Sequence, residues 1–207
     1  MKKSISCILA ALSAIVVLSG CDFFVSRPVD GMMLPESETD TTFVVVGEHG
    51  ITEAELRALF DENLYCMWNV FEIDCLEYGE EPVKGDSIYR VTERFSSYED
   101  FEGYLRSVYC KETADMLLYD FPQEGNPRYL NIDGELCVDI TLVGGKGYYV
   151  DWTDYTIEIV SSDDTSCTFV VKGILNEPAD VPVDEEYSVA GVAVYEDGKW
   201  VLERMMH

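Results

Sequence analysis

The chain has 207 residues, of which 47% are hydrophobic and 12% aromatic, and its 14 basic and 40 acidic residues give a formal charge of −26. Nucleic acids and anionic lipid head groups would be repelled by such a chain, so we expect neither as a partner. The charge fits a cationic protein partner, bound cations, or a role in solubility alone.

The first twenty residues have the pattern of a secretory signal peptide. Lys2 and Lys3 precede an uncharged, mostly apolar run at 5–18. This run is shorter than the roughly 20 residues that a membrane-spanning helix needs. It ends in Leu18-Ser19-Gly20-Cys21, which matches the lipobox of a bacterial lipoprotein. The pattern predicts cleavage before Cys21 and a lipid on its thiol, which would anchor the protein to the outer face of the cell membrane.

The mature chain divides into a tether and one domain. Cleavage removes two basic residues and no acidic one, which leaves a formal charge of −28. Residues 21–50 are polar and acidic with little to bury, so we predict a flexible tether. Residues 51–207 have the length and apolar content of a single domain.

The first half of this domain has helical patterns. Thr52 is a predicted N-cap, and apolar residues then recur at steps of three and four up to Phe71, which predicts one long helix ending before Gly79. Cys66 and Cys75 are predicted to share this helix, about 13 Å apart along its axis and too far apart for a disulfide. A second helix is expected to begin after Ser97 and a third at Lys111.

The second half has the alternating pattern of antiparallel strands. After a weak strand at 87–91 and the two later helices, predicted strands follow at 129–132, 135–142, 148–150, 155–159, 167–172, 189–195 and 199–202. Asp133-Gly134 and Asp197-Gly198 are typical hairpin turns. We therefore predict an α+β fold in which helices pack on one face of a curved antiparallel meander, as in cystatin-like and NTF2-like architectures.

Five cysteines remain after Cys7 and Cys21 are assigned to the signal peptide and the lipid. They are odd in number and form no Cys-x-x-Cys pair, so we interpret most of them as buried apolar side chains. One disulfide among Cys110, Cys137 and Cys167 stays open.

No catalytic, cofactor or metal motif stands out. The only histidines are His49 and His207, neither placed to activate a serine or cysteine, and zinc-ligand spacing is missing. The sequence 144–147, Gly-Gly-Lys-Gly, lacks the full phosphate-loop pattern and is interpreted as a hairpin turn. Acidic turn residues form no calcium loop, and 40 acids single out no carboxylate pair. We predict no enzyme, cofactor or metal site.

Four segments resemble the DL-endopeptidase inhibitor family of Gram-positive bacteria. They are Tyr65-Cys66-Met67-Trp68, the stretch 98–105, the stretch 129–136, and Glu196-Asp197-Gly198-Lys199-Trp200-Val201. The similarity spans most of residues 53–203. It implies a small exported protein that blocks the cleft of a cell-wall hydrolase with a Cys-His active site, although this chain has a predicted lipid anchor and additional cysteines.

Two loops are candidate contact surfaces for such a partner, at 144–154 and 178–186. The candidate residues are Tyr148, Asp151, Trp152, Asp154, Asp184 and Glu185. A rival hypothesis is a small-ligand binder or degenerate enzyme with an apolar cone lined by Trp68, Phe71, Trp152 and Trp200. A third is a structural or adaptor role at the cell envelope.

Overall fold

A computed structural model describes residues 49–144, 150–175 and 185–207, which all lie in one compact unit of the chain. The predicted lipidation site Cys21, the candidate contact residues Tyr148 and Asp184, and most of the glycine-rich stretch at 144–147 lie outside the described residues. Among the described residues, no helix is long and apolar enough to cross a membrane.

Helices occupy the first part of the domain, as predicted. They are α1 (Glu53–Tyr65), α2 (Tyr98–Val108) and α3 (Lys111–Tyr119). Thr52 begins α1 with a capping box, because its hydroxyl accepts from Glu55 N while the Glu55 carboxylate accepts from Thr52 N. Ser97 caps α2 in a similar way by accepting from Asp100 N. The two predicted N-caps are confirmed.

The first helix widens into a π-helix, Cys66–Phe71, and ends there. Cys75 lies beyond the helix in a segment without helix or strand, where its N–H donates to the Asp74 carboxylate. The prediction that Cys66 and Cys75 share one helix was therefore wrong. The physical reason is that residues 72–77 add no further buried turn, and Leu76 instead inserts into the core.

The described strands form three antiparallel sheets. Their bounds are β1 (Tyr78–Lys84), β2 (Ile88–Val91), β3 (Pro122–Gln123), β4 (Asn126–Pro127), β5 (Tyr129–Ile132), β6 (Glu135–Asp139), β7 (Val150–Ser162), β8 (Ser166–Leu175), β9 (Glu185–Glu196) and β10 (Lys199–Leu202). The first sheet has the order β1-β2-β6-β5, and the second is the meander β10-β9-β8-β7. Strands β3 and β4 form a small separate hairpin. The predicted α+β class with antiparallel sheets is confirmed.

The sheets differ from the prediction in two respects. The strands form two larger sheets rather than one, because β2 pairs with β6 and so draws the middle of the chain into the first sheet. Strand β1 had no strand signal, since it is mostly exposed and contains Pro82. Proline is tolerated there because β1 is an edge strand. Both Asp-Gly turns are confirmed as turns with two positive φ angles, at Asp133-Gly134 and Asp197-Gly198.

Aromatic rings fill the core beside α1 and α2. Phe71 and Phe101 both pack against Tyr129, with ring centroids 5.8 and 4.9 Å apart. The Tyr129 hydroxyl donates to Val70 O at 2.9 Å. The buried guanidinium of Arg128 donates to the same carbonyl at 3.1 Å and to Asp74 O at 3.2 Å. These bonds satisfy one carbonyl in the last turn of the π-helix and one in the segment that follows it.

Two glycines allow side chains to pack directly on the second sheet. A Cβ at Gly173 would lie 2.7 Å from the Trp152 ring, and one at Gly191 would lie 2.5 Å from Met206 Sδ. Both residues are buried in strands. The missing side chains thus make room for the indole and for the C-terminal segment.

Asn63, a fully buried residue of α1, binds the C-terminal segment. Its Nδ2 donates to Met206 O at 2.9 Å, and its Oδ1 accepts from Met206 N at 2.9 Å. The same Oδ1 accepts from the Tyr109 hydroxyl at 3.1 Å. One amide therefore joins α1, the connection between α2 and α3, and the residues after β10.

We predict that Asn63→Ala lowers the free energy of unfolding by about 2 to 4 kcal/mol, because it leaves buried backbone and phenol groups without partners. Asn69→Ala is the matched control, since Asn69 is exposed and donates only a long 3.4 Å bond to Tyr65 O. Urea denaturation measures both. Equal losses in the two variants would contradict the assignment of Asn63 as the central contact.

Candidate functional site

The described ends of the two predicted contact loops lie at one end of the second sheet. Val150 pairs with Leu175, which in turn pairs with Glu185, so the three residues form a row across β7, β8 and β9. Asp151 and Asp154 are exposed near this end, as is Glu185. Hydrogen bonds from Thr153 to the Asp151 carboxylate lower the pKa of that group. The three described candidate acids thus lie on one rim of the domain.

Trp152 does not belong to this rim. Its side chain is only 3% exposed and packs edge-on against Phe60 and Tyr187, at ring-centroid distances of 5.2 and 5.9 Å. This corrects its prediction as a contact residue, because the local irregularity of β7 turns both Trp152 and Tyr155 toward α1. Trp152 Nε1 is buried without a hydrogen-bond partner.

The four aromatic residues proposed to line one apolar cone are separated. Trp152 is in the core, and Trp200 lines an open cleft of about 530 Å³ beside His49 and Tyr195. Phe71 lines a different cleft of about 300 Å³. Trp68 is half-buried and packs against the edge of the core. The geometry places these rings in different parts of the domain.

The cleft beside Phe71 combines apolar walls with two buried charged residues. Its walls are Phe71, Glu72, Phe121, Pro122, Arg128, Leu142 and Gly144. Arg128 is 2% exposed and Glu72 is 7% exposed. The Arg128 guanidinium donates to Leu142 O through both Nε and Nη2, so most of its donors are used within the fold.

All five cysteines of the described residues are free thiols. Four are buried, as predicted, and Cys75 is half-buried. Burial raises the pKa of Cys66 to about 11. Burial also raises the pKa values of Cys75, Cys137 and Cys167. A thiol must ionise to act as a nucleophile, so these environments oppose thiolate chemistry.

The two histidines lie at different places in the domain. His49 stacks on Tyr195 with ring centroids 4.5 Å apart, and its carbonyl accepts from Trp200 Nε1. His207 Nδ1 lies 3.1 Å from Glu72 Oε1. Within the described ranges, no three histidine, cysteine, aspartate or glutamate residues are grouped closely enough to hold a metal ion.

An acidic cleft lies between α3 and the outer face of the second sheet, and we name it the α3 cleft. Its volume is about 810 Å³, and its lining consists of Cys110, Lys111, Glu112, Asp115, Met116, Asp120, Val194, Glu196 and Glu203. Met116 is 41% exposed and Val194 is half-buried, so part of the lining is apolar. Five carboxylates against one lysine give it a strong negative potential.

Only part of this negative charge is neutralised locally. Asp115 pairs with Lys111 and Arg106 at 2.6 and 2.7 Å, and these partners lower its pKa. The Glu196 carboxylate accepts from Lys111 N at the start of α3. Glu112 and Glu203 are exposed, and neither has an ion pair among the described residues. The α3 cleft therefore presents carboxylates to an incoming cation.

A second polar cluster, which the sequence did not predict, lies between α1 and α2. The Arg94 guanidinium stacks on Tyr65 and Tyr104, with 3.7 and 4.7 Å from Cζ to the ring centroids. Its Nη2 donates to Glu62 Oε2 at 2.8 Å. We name Glu62, Tyr65, Arg94, Phe95 and Tyr104 the Arg94 cluster. No residue spacing in the sequence predicts this cluster, because its members come from α1, a loop and α2.

No family model matches the sequence, and no curated protein matches it significantly.

We predict that thiol labelling of the native chain orders the cysteines by burial. Iodoacetamide at pH 8 should modify Cys75 first, while Cys66, with no exposed surface and a raised pKa, reacts only at the rate of unfolding. Peptide mass spectrometry with and without urea measures each site. Folding raises the pKa of the Cys66 thiol, so this group makes the free energy of unfolding depend on pH. Its stabilising contribution is fully present below the pKa of the unfolded thiol and is lost as the pH rises toward about 11. Fast native labelling of Cys66 at pH 8 would contradict this order.

Proposed function

We propose that this protein is a lipid-anchored binding module at the outer face of the cell membrane, and that it acts by contact on a cationic protein partner. The carrying observation is the α3 cleft, where exposed carboxylates border an apolar lining. Interfaces that combine an apolar centre with complementary charges gain both affinity and rapid association. The chain's formal charge of −26 extends this attraction over the whole molecule.

Within this proposal the partner is a peptidoglycan endopeptidase of the Cys-His type. The resemblance to the DL-endopeptidase inhibitor family supports that choice, as does the predicted location at the outer face of the cell membrane. The raised pKa values of the thiols favour binding over catalysis by this chain, because the protonated form is a poor nucleophile.

A second candidate function is the binding of a small ligand in the cleft beside Phe71. Its favouring observation is the combination of aromatic walls with buried Arg128 and Glu72. Its volume of about 300 Å³ falls at the lower end of ordinary ligand sites. A ligand there would shift the NMR signals of Phe71 and Phe121 and leave those of α3 unchanged.

The anchor gives the first prediction of this proposal. Cys21→Ser should move the protein from the membrane fraction to the soluble or secreted fraction, because a serine cannot receive the thioether-linked lipid. Globomycin should cause the precursor of the wild-type chain to accumulate. Unchanged processing in the presence of globomycin would contradict lipoprotein maturation, whatever the outcome for binding.

The partner gives the second prediction. In a pull-down from wall extracts, the wild type should retain an endopeptidase, and added protein should reduce clearing in a zymogram. The double charge reversal of Glu112→Lys with Glu203→Lys should weaken binding roughly tenfold, since it places positive charge in the α3 cleft. Raising the ionic strength should weaken the wild type in the same direction.

The matched control is Glu80→Lys with Glu81→Lys on the exposed edge strand β1. It changes the net charge by the same amount, so it separates the effect of the cleft from that of overall charge. Equal weakening by the two double variants would exclude the α3 cleft as the contact. Retention of no hydrolase, together with unchanged clearing, would contradict the inhibitory function itself.

A further inference from the structure

Three aromatic rings of the Arg94 cluster surround one positive group. Besides Tyr65 and Tyr104, Phe95 lies 5.8 Å from the Arg94 Cζ. The Tyr65 and Tyr104 rings are nearly perpendicular, at 85°, and Phe95 packs against Tyr104 with centroids 5.1 Å apart. Ring faces and edges arranged in this way form the aromatic cages with which proteins recognise organic cations.

A carboxylate completes the cage. Glu62 Oε2 accepts from Arg94 Nη2 at 2.8 Å and from the Tyr104 hydroxyl at 2.6 Å. The Tyr104 oxygen in turn lies 3.4 Å from Cys66 Sγ, which is fully buried. Burial raises the pKa of Tyr104, so its phenol remains a donor and holds the Glu62 carboxylate in place. The negative group is therefore positioned independently of Arg94.

The backbone at Arg94 is strained, although two of the three surrounding rings, Tyr65 and Tyr104, belong to helices. Arg94 has φ of +60°, a left-handed conformation that disfavours a residue with a Cβ by roughly 1 kcal/mol. Its side chain remains 32% exposed, so the cage is open to solvent on one side. Tyr65 ends α1 and Tyr104 lies within α2. Release of Arg94 would relax the loop and leave the helical walls standing.

We propose that Glu62, Tyr65, Phe95 and Tyr104 form a binding site for an organic cation, a guanidinium or quaternary ammonium group, and that Arg94 is its internal occupant. An external cation enters by exchanging with the Arg94 guanidinium. The site is distinct from the α3 cleft and does not depend on the partner being a hydrolase. An external cation is drawn toward the domain because the net charge of the chain is strongly negative.

The chain provides its own control in Arg57. Its guanidinium also stacks on a tyrosine, with Cζ 4.6 Å from the Tyr155 ring centroid, and it pairs with Glu53 at 3.4 Å. One ring covers this guanidinium, whereas three surround that of Arg94. Removal of Arg57 therefore exposes a ring and a carboxylate without creating a cage.

The test is a titration of the full chain as wild type, Arg94→Ala and Arg57→Ala with tetramethylammonium chloride and with N-acetyl-arginine amide. Aromatic NMR shifts of Tyr65, Phe95 and Tyr104 report binding, and sodium chloride at equal ionic strength corrects for screening. Arg94→Ala should reach saturation at low millimolar ligand. The wild type should need about tenfold more ligand, because its tethered Arg94 guanidinium competes for the cage at a millimolar effective concentration. Arg57→Ala should behave as the wild type does.

The two probes separate the sources of the cation. Tighter binding of the arginine amide assigns the site to an arginine of a partner protein, and tighter binding of tetramethylammonium assigns it to a small ammonium ligand. A folded Arg94→Ala chain with shifts that stay linear and match those of Arg57→Ala overturns the proposal. If Arg94→Ala fails to fold, Arg94→Gln removes the charge with less loss of packing, and the same criteria apply to it.

Discussion

The Asn63 amide is the contact on which the other features depend. It is buried in α1, exchanges two hydrogen bonds with Met206 and accepts a third from Tyr109. These bonds fasten the residues after β10 to α1, which also packs directly on β7 through Phe60 and Trp152. Met206 also fills the space above Gly191, so the same segment seals the sheet. Apolar burial supplies most of the stabilisation, while this polar contact selects the arrangement.

Both proposed binding surfaces follow from that arrangement. Tyr109, which binds Asn63, comes directly before the cysteine that opens α3, and Cys110 N donates to Leu202 O. This fixes α3 beside β10 and forms one wall of the α3 cleft. On the other side, Glu62 and Tyr65 flank Asn63 in sequence and reach the surface, where they meet Tyr104 of α2. A single buried side chain thus orients two surfaces that share no residue.

Several arginine side chains of this acidic domain bind groups within the domain itself. Arg128 is buried among backbone carbonyls, and Arg106 bridges Glu102 and Asp115. Arg94 and Arg57 each pair with a carboxylate while stacking on a tyrosine. Because 40 acidic residues stand against 14 basic ones, the carboxylates set the sign of the surface. Both proposals therefore name a cation as the binding partner.

The sequence by itself determined the helices, the Asp-Gly hairpins, the antiparallel meander and the burial of most cysteines. These features depend on local periodicity, on capping side chains such as Thr52 and Ser97, and on turn residues that tolerate positive φ. It also carried the lipobox prediction at Cys21, since that motif is contiguous. These features can be predicted from the sequence because each depends on residues that are close together in the chain.

Tertiary structure alone decided the rest. The pairing of β2 with β6, the end of the first helix before Cys75, and the burial of Trp152 depend on contacts between distant segments, which no local pattern encodes. The Arg94 cluster draws on three separate elements for the same reason. Its site was invisible in the sequence because an aromatic cage is defined by the directions of rings, and these are fixed only when the helices pack.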